Sequence, residues 1–298
     1  MNVARIAAEP LEDSAPLAYR LALQRCGHAP NGGTCVWSHG LWQYLRLFGL
    51  ITTPDRQARF YADVFATAAA DAAARGRTAR VLISGAADYG MLAQVLRAFR
   101  AVGSVPAVTV LDACDTPLEL CQWYAAREGF DIKIHHSNVL DYNTIERFDV
   151  VCTHSFLGQF DAGDRARLAA KWFELLSPGG RAATVNRIRP GRAGDYIRFT
   201  EEQAALFLQE VEGHVGRAAL PAGVEAPVLM DMAQGYAEKF GAWAVDSVAE
   251  IRSLFEGEGF VVQAIDCDPA GPLEGGRISG PSTPGGAQYA NILVSRPE

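Results

Sequence analysis

From Arg80 onward the chain alternates short apolar runs with amphipathic stretches of helical period, and this alternation limits the fold more than any other feature. A strand, a helix and a second strand make one crossover unit, and repeated crossovers build a parallel sheet covered by helices on both faces. The predicted strands are Val81–Ser84, Ala107–Leu111, Ile132–His135, Phe148–Thr153 and Arg181–Asn186, each rich in β-branched or apolar residues. Predicted helices lie near Gly90–Val102, Pro117–Glu128 and Asp161–Leu176. The last opens on an acidic first turn and stops at Ser177-Pro178-Gly179-Gly180, as helix-terminus chemistry requires. The class is α/β, with a doubly wound sheet.

The alternation breaks after the fifth strand. Roughly 187–246 reads as an insertion with helices near Asp195–Gly213 and around Met230–Phe240. The pattern resumes with a helix at Val248–Glu256, a strand at Phe260–Asp266 and a final strand at Ala290–Val294. The Gly/Pro-rich loop between Gly271 and Gly286 has almost nothing to bury and is expected to be mobile. The first 75 residues contain no convincing strand. Trp37, Leu41, Tyr44, Leu45 and Phe48 share one helical face, and an alanine-rich helix is expected from about Pro54, capped by Thr53, to Arg75. The expected division is a helical N-terminal segment over 1–76 and a main domain over 77–298, with a helical insertion at about 190–245.

Composition narrows the function classes. The 298 residues carry a net charge of −7 and no tight basic run, which disfavours a nucleic-acid partner. No window approaches the roughly 18 unbroken apolar residues of a spanning helix, and Glu9, Pro10, Glu12 and Asp13 stand where a signal peptide has its apolar stretch. A cytoplasmic location without membrane contact is expected. The six cysteines, Cys26, Cys35, Cys114, Cys121, Cys152 and Cys267, include no Cys-x-x-Cys pair and read as free thiols in a reducing compartment.

The candidate chemistry begins at Val81-Leu82-Ile83-Ser84-Gly85-Ala86-Ala87-Asp88-Tyr89-Gly90, a strand, a turn of small residues and a helix start. Such a turn lets backbone approach a ligand, and the helix N-terminus offers unpaired N–H groups. The second strand ends in Asp112, 27 residues after Gly85, and a carboxylate there can accept from both ribose hydroxyls of an adenosine ligand. Then come Ser137-Asn138-Val139-Leu140-Asp141 after the third strand, Phe148-Asp149-Val150-Val151 in the fourth, and Leu176-Ser177-Pro178-Gly179-Gly180 before the fifth. This ordered set resembles the class I S-adenosylmethionine-dependent methyltransferases, closely over about 77–187 and loosely over the final strands.

The resemblance implies a Rossmann-like seven-stranded sheet with an antiparallel last strand, S-adenosylmethionine as cofactor and a small-molecule acceptor. It places Gly85, Ala86 and Ala87 at the methionine end of the cofactor and Asp112, beside Ala113, at the ribose. Asn138 and Val139 would flank the adenine, and Thr153 and His154 would face the methyl group. Ile83 replaces the acid usual in the first strand, and Ala87 the second loop glycine; Asp88 is the carboxylate that could stand in.

Ligands in open α/β sheets lie beyond the carboxyl ends of the strands. That assigns Phe156 after strand four, and Asn186, Arg187 and Arg189 after strand five, to the acceptor. The two arginines, alternating with Ile188, suggest a carboxylate or phosphate on it. His154, with His39 second, is the candidate proton carrier, and at an ordinary pKa it would give an acid limb near pH 6–7. Trp37, Trp42, Tyr44 and Phe48 read as core, as an interface that would make a homodimer, or as a cap over the cleft; Trp37 and Tyr44 are assigned to the acceptor in the last case. Cys26, His28, Cys35 and His39 offer zinc ligands, but their spacing matches no common structural site and no metal is expected. The rival functions are a catalytically silent S-adenosylmethionine-binding or partner-binding protein and a nicotinamide-dependent oxidoreductase.

Overall fold

A computed structural model describes residues 9–27, 34–51, 54–216, 223–270 and 287–298. Thr53, His28 and the Gly271 to Gly286 loop, on which three expectations rest, lie outside them. The apolar runs become β1 (Arg80–Ser84), β2 (Ala107–Asp112), β3 (Ile132–His136), β4 (Phe148–His154) and β5 (Leu176–Ile188), and the chain ends in β8 (Val261–Ala270) and β9 (Ala287–Ser295). These form one sheet of order β3-β2-β1-β4-β5-β9-β8. β1 to β5 pair in parallel and β9 runs antiparallel to β5 and β8. Val81, Leu82, Ile83, Val150, Val151 and Cys152 are almost fully buried, as central strands covered on both faces must be.

The crossover helices are α4 (Gly90–Ala101), α5 (Asp115–Arg127) and α6 (Ala162–Leu175), joined later by α9 (Val248–Gly257). Asp161 caps α6 by accepting from the Asp164 N–H, and Ser247 caps α9 through Glu250 N–H. α6 passes into β5 without a loop. A β-carbon at Gly180 would stand 2.8 Å from the Ser177 carbonyl and 3.0 Å from that of Phe148, so the turn there depends on glycine.

Before the sheet stand α1 (Leu11–Arg25), α2 (Val36–Leu47) and α3 (Ala58–Ala74), the last preceded by a 3₁₀ turn at Pro54–Gln57. The expected helix near Asp195–Gly213 is shorter and later, α7 (Glu201–Val215), followed by α8 (Ala226–Lys239). Thr200 closes a capping box with Gln203 and so starts the helix. The residues ahead of it are free to form β6 (Tyr196–Arg198), which pairs antiparallel with β7 (Gly241–Trp243). Leu41, Tyr44 and Leu45 of α2 share one core with Phe207, Leu229 and Tyr236 of α7 and α8. α1, α2 and the insertion are thus packed together over the carboxyl edge of the sheet, while α3 packs on the sheet's face against α4 and β4. None of the described helices is long and apolar enough to cross a membrane.

A buried ion network fastens that unit to the sheet. Arg46 of α2 donates to Asp88 at 2.8 Å and to Glu9 at 2.5 Å. Gln43 also donates to Asp88, at 2.7 Å, and accepts from Ser14 of α1 at 2.8 Å. Asp88 in turn accepts from the Gly90 N–H at the start of α4. The side chains of Arg46, Glu9 and Asp88 are 3%, 7% and 7% exposed, so neither carboxylate has water to fall back on. Breaking a buried ion pair by removing one partner costs about 3–5 kcal/mol. Arg46→Met should therefore lower the unfolding free energy by about that amount in a urea titration.

Candidate active site

Strand order reverses between β1 and β4, and the loops leaving their carboxyl ends open into one cavity of about 520 Å³. Gly85, just past β1, has a φ of +79° and donates its N–H to the Leu111 carbonyl. A β-carbon there would run into the Phe156 ring, so the loop and the residue after β4 are fitted to each other. Phe156 reaches this position because Ser155 turns the chain with a φ of 54° while its N–H holds the Val185 carbonyl at 2.7 Å. Asp112 closes β2 with each oxygen accepting one backbone N–H, from Ala86 and from Cys114, both at 2.8 Å. Burial pushes its carboxyl up to about 6, against the pull of His39 and the two N–H groups.

His154 ends β4 on the cavity wall. Tyr61 of α3 donates its hydroxyl proton to the Thr153 carbonyl at 2.8 Å, and its oxygen lies 3.1 Å from His154 Nδ1. With that proton engaged, Nδ1 is the donor to Tyr61, and Nε2 is left as an acceptor. Nε2 has no hydrogen-bond partner among the described residues. Burial pulls the imidazole down to about 4, so the acid limb that His154 would control lies there and not near neutrality.

The opposite half of the cavity is aromatic and basic. Trp37 and Trp42 of α2, Tyr196 and Trp243 of the β6–β7 pair, and Tyr236 and Phe240 of α8 and its end line it, with Arg187, Arg189 and Lys239. Arg187 sits opposite Tyr289 in the β5–β9 register. Burial lowers both arginines, Arg189 to about 10. Among the described residues that line the cavity, only Asp112 carries a carboxylate.

No protein-family model matches the sequence, and no curated protein is significantly similar to it. Solved structures similar to it include an O-methyltransferase family protein from Burkholderia thailandensis, with a TM-score of 0.50 and 15% identity over 87% of this chain and 60% of that one. A geranyl diphosphate methyltransferase gives 0.49 and 14% over 81% and 77%, and the [4+2]-cyclase SpnF gives 0.49 and 12% over 79% of each chain. The chain has the class I methyltransferase fold.

Within that fold, Gly85, Ala86, Ala87, Asp112, His154, Phe156, Asn186, Arg187, Arg189, Trp37 and His39 meet in the one cavity. Others fall elsewhere. Asp88 faces Arg46, with its oxygens taken by Arg46, Gln43 and the Gly90 N–H, so it is turned from the cavity. Tyr44 has no exposed surface and belongs to the core of the cap. Val139 is buried beneath its loop, Asn138 is exposed and caps the Leu140 N–H, and Ala113 is exposed with its carbonyl 3.0 Å from His136 Nε2. Thr153 lies behind the wall, 1% exposed. His39 is drawn into a cluster of thiols, with Nδ1 3.3 Å from Cys26 Sγ. Hydrogen bonds with Cys114 and Cys35 outweigh burial and raise its imidazole to about 10.

Tyr61, Gln43, Arg46 and the aromatic β6–β7 pair were not predicted from the sequence. Arg46 and Gln43 alone carried a signal, as polar residues three apart in the otherwise apolar stretch 41–48. The others act through long-range contacts.

The His154 ring titrates near 6.5 when unfolded and at about 4 when folded. A folded-state pKa below the unfolded one contributes stability that is complete above about pH 6.5 and is lost as pH falls toward 4. Urea titrations of the parent and His154→Asn at steps between those values should therefore converge as pH falls.

Proposed function

We propose that the protein transfers the methyl group of S-adenosylmethionine to a small-molecule acceptor bearing an anionic group. The observation that carries this reading is the junction of two unlike half-sites in one cavity: a glycine turn beside a strand-end carboxylate, and a basic aromatic chamber. Asp112 fits the cofactor's ribose. Each of its oxygens has taken one backbone N–H and keeps a lone pair for a hydroxyl. Gly85, Ala86 and Ala87 would hold the methionine end, where no side chain larger than a methyl intervenes from the loop itself. When bound, S-adenosylmethionine supplies a methyl group on a cationic sulfonium, ready for in-line displacement.

The chain's own residues then have three tasks. The cap helices and the β6–β7 pair exclude water and hold the acceptor in line, which is the main contribution a protein makes to such a displacement. Arg187 and Arg189 orient the acceptor's anion. His154 Nε2, the acceptor in its tautomer, takes or orients a proton on a hydroxyl or ammonium. The antiparallel β9 supports this reading over a nicotinamide-dependent oxidoreductase, whose sheet order is 3-2-1-4-5-6 in the doubly wound dinucleotide fold.

Calorimetric titration tests the cofactor first. S-adenosylmethionine and S-adenosylhomocysteine should bind and the nicotinamide cofactors should not; the reverse overturns the proposal, and binding without turnover in a labelled-methyl metabolite screen favours the silent binder. Asp112→Ala should weaken binding by about 100-fold or more, since each hydrogen bond to the charged group is worth about 1.5–3 kcal/mol. Arg187→Lys and Arg189→Lys keep the charge and lose the planar fork. They should raise the acceptor's KM and leave cofactor affinity unchanged; parental KM values for both would remove the anionic acceptor.

A further inference from the structure

Beside the proposed reaction site, four soft ligands converge from three separate parts of the chain. Cys26 follows α1, Cys35 caps α2, His39 lies in the first turn of α2, and Cys114 precedes α5. Their Sγ and N atoms all lie within 4.8 Å of one another. Cys26 Sγ is 3.7 Å from Cys114 Sγ and 3.3 Å from His39 Nδ1, and Cys35 Sγ is 3.8 Å from Cys114 Sγ.

These three distances match edges of a metal tetrahedron, and the other three pairs lie within 4.8 Å. With zinc–sulfur bonds of about 2.3 Å and zinc–nitrogen bonds of about 2.0–2.1 Å, tetrahedral angles place sulfurs about 3.8 Å apart and a sulfur about 3.5 Å from the nitrogen. A disulfide needs sulfurs about 2.05 Å apart, and a third thiol and an imidazole at the same point serve no disulfide. Cys26 Sγ also lies 3.1 Å from the hydroxyl of Thr116, a residue with no exposed surface. That hydroxyl is placed to donate to a thiolate, the outer-sphere bond by which metal ligands are oriented.

We infer that Cys26, Cys35, His39 and Cys114 bind one zinc ion in a closed, structural Cys₃His site that staples the helical cap to the loop carrying Asp112. Four protein ligands leave no open position, so the ion holds structure and does not activate substrate. Cys114 donates its N–H to Asp112 Oδ1, so the metal would also fix that carboxylate. His39 becomes a ligand and leaves the set of proton carriers. The inference stands apart from the methyl-transfer proposal, because neither the ligands nor the test involves a cofactor or acceptor.

The full chain, purified under reducing conditions without chelator, tests it by elemental analysis. Stoichiometric zinc is expected, about one ion per chain, with the thermal midpoint falling on chelation and returning on addition of Zn²⁺ alone. Cobalt substitution should give thiolate charge-transfer and tetrahedral visible bands. Because loss of a ligand can also impair folding, His39→Cys accompanies His39→Ala. The cysteine variant should retain the metal and the parental midpoint, while the alanine variant should lose metal to a competing chelator at least tenfold faster. Absence of stoichiometric zinc both as isolated and after reduction and Zn²⁺ addition would overturn the site, as would a Cys114 disulfide to Cys26 or Cys35 surviving in the reduced protein. Equal metal retention by His39→Ala would overturn the role of His39 and with it the four-ligand site.

Discussion

The guanidinium of Arg46, held between Asp88 and Glu9, is the contact on which the architecture turns. It joins a helical cap to the first turn after β1, the one place in an open α/β sheet where backbone comes closest to a ligand. Buried ion pairs add little net stability compared with apolar packing, but they tolerate only one arrangement, because a displaced partner leaves a charge without solvent. The network therefore specifies the seat of the cap more than it strengthens the fold. Tyr89, whose ring lies 5.4 Å from the guanidinium and whose hydroxyl is 3.1 Å from Ser14 Oγ, extends the same joint to α1.

With the cap seated, the cavity is made of parts with different tolerances. The sheet side is fixed by hydrogen bonds: Gly85 and Asp112 at the ends of β1 and β2 bond to backbone, and His154 at the end of β4 bonds to the Tyr61 hydroxyl. The cap side is built from large aromatic rings on α2, α8 and the β6–β7 pair, none of them part of the main sheet. Such a division suits a site in which one ligand is constant and the other is selected. A fold of this kind supports many chemistries, and function lies in the site built on it.

Asp88 and the thiol cluster show what local patterns leave open. Asp88 follows the glycine turn and is well placed along the chain to meet a ligand, yet a cation 42 residues upstream captures it. The cysteines and histidines near residues 26 to 39 have no regular zinc spacing, because the ligand that completes the set is Cys114, beyond two helices and two strands. Spacing rules describe sites closed within one segment, and this one closes across the cap interface. His154 is a third instance: its place after β4 was legible, but its low pKa comes from burial under α3, together with the Tyr61 contact that sets its tautomer.

The sequence by itself determined the strands and helices of the sheet, its parallel core, and the turn, acid and proline-glycine signals that mark its carboxyl edge, while the antiparallel last strand was implied by the family resemblance. The former are consequences of periodicity and of the backbone demands of glycine, proline and capping residues, which act within a few positions along the chain. Only the tertiary structure decided that α1, α2 and the insertion pack as one cap, that β6 and β7 pair, and which carboxylate faces the cavity and which faces Arg46. Those outcomes depend on charges, thiols and rings brought together from dozens of residues apart. No local pattern encodes which of several chemically acceptable partners a buried group will meet.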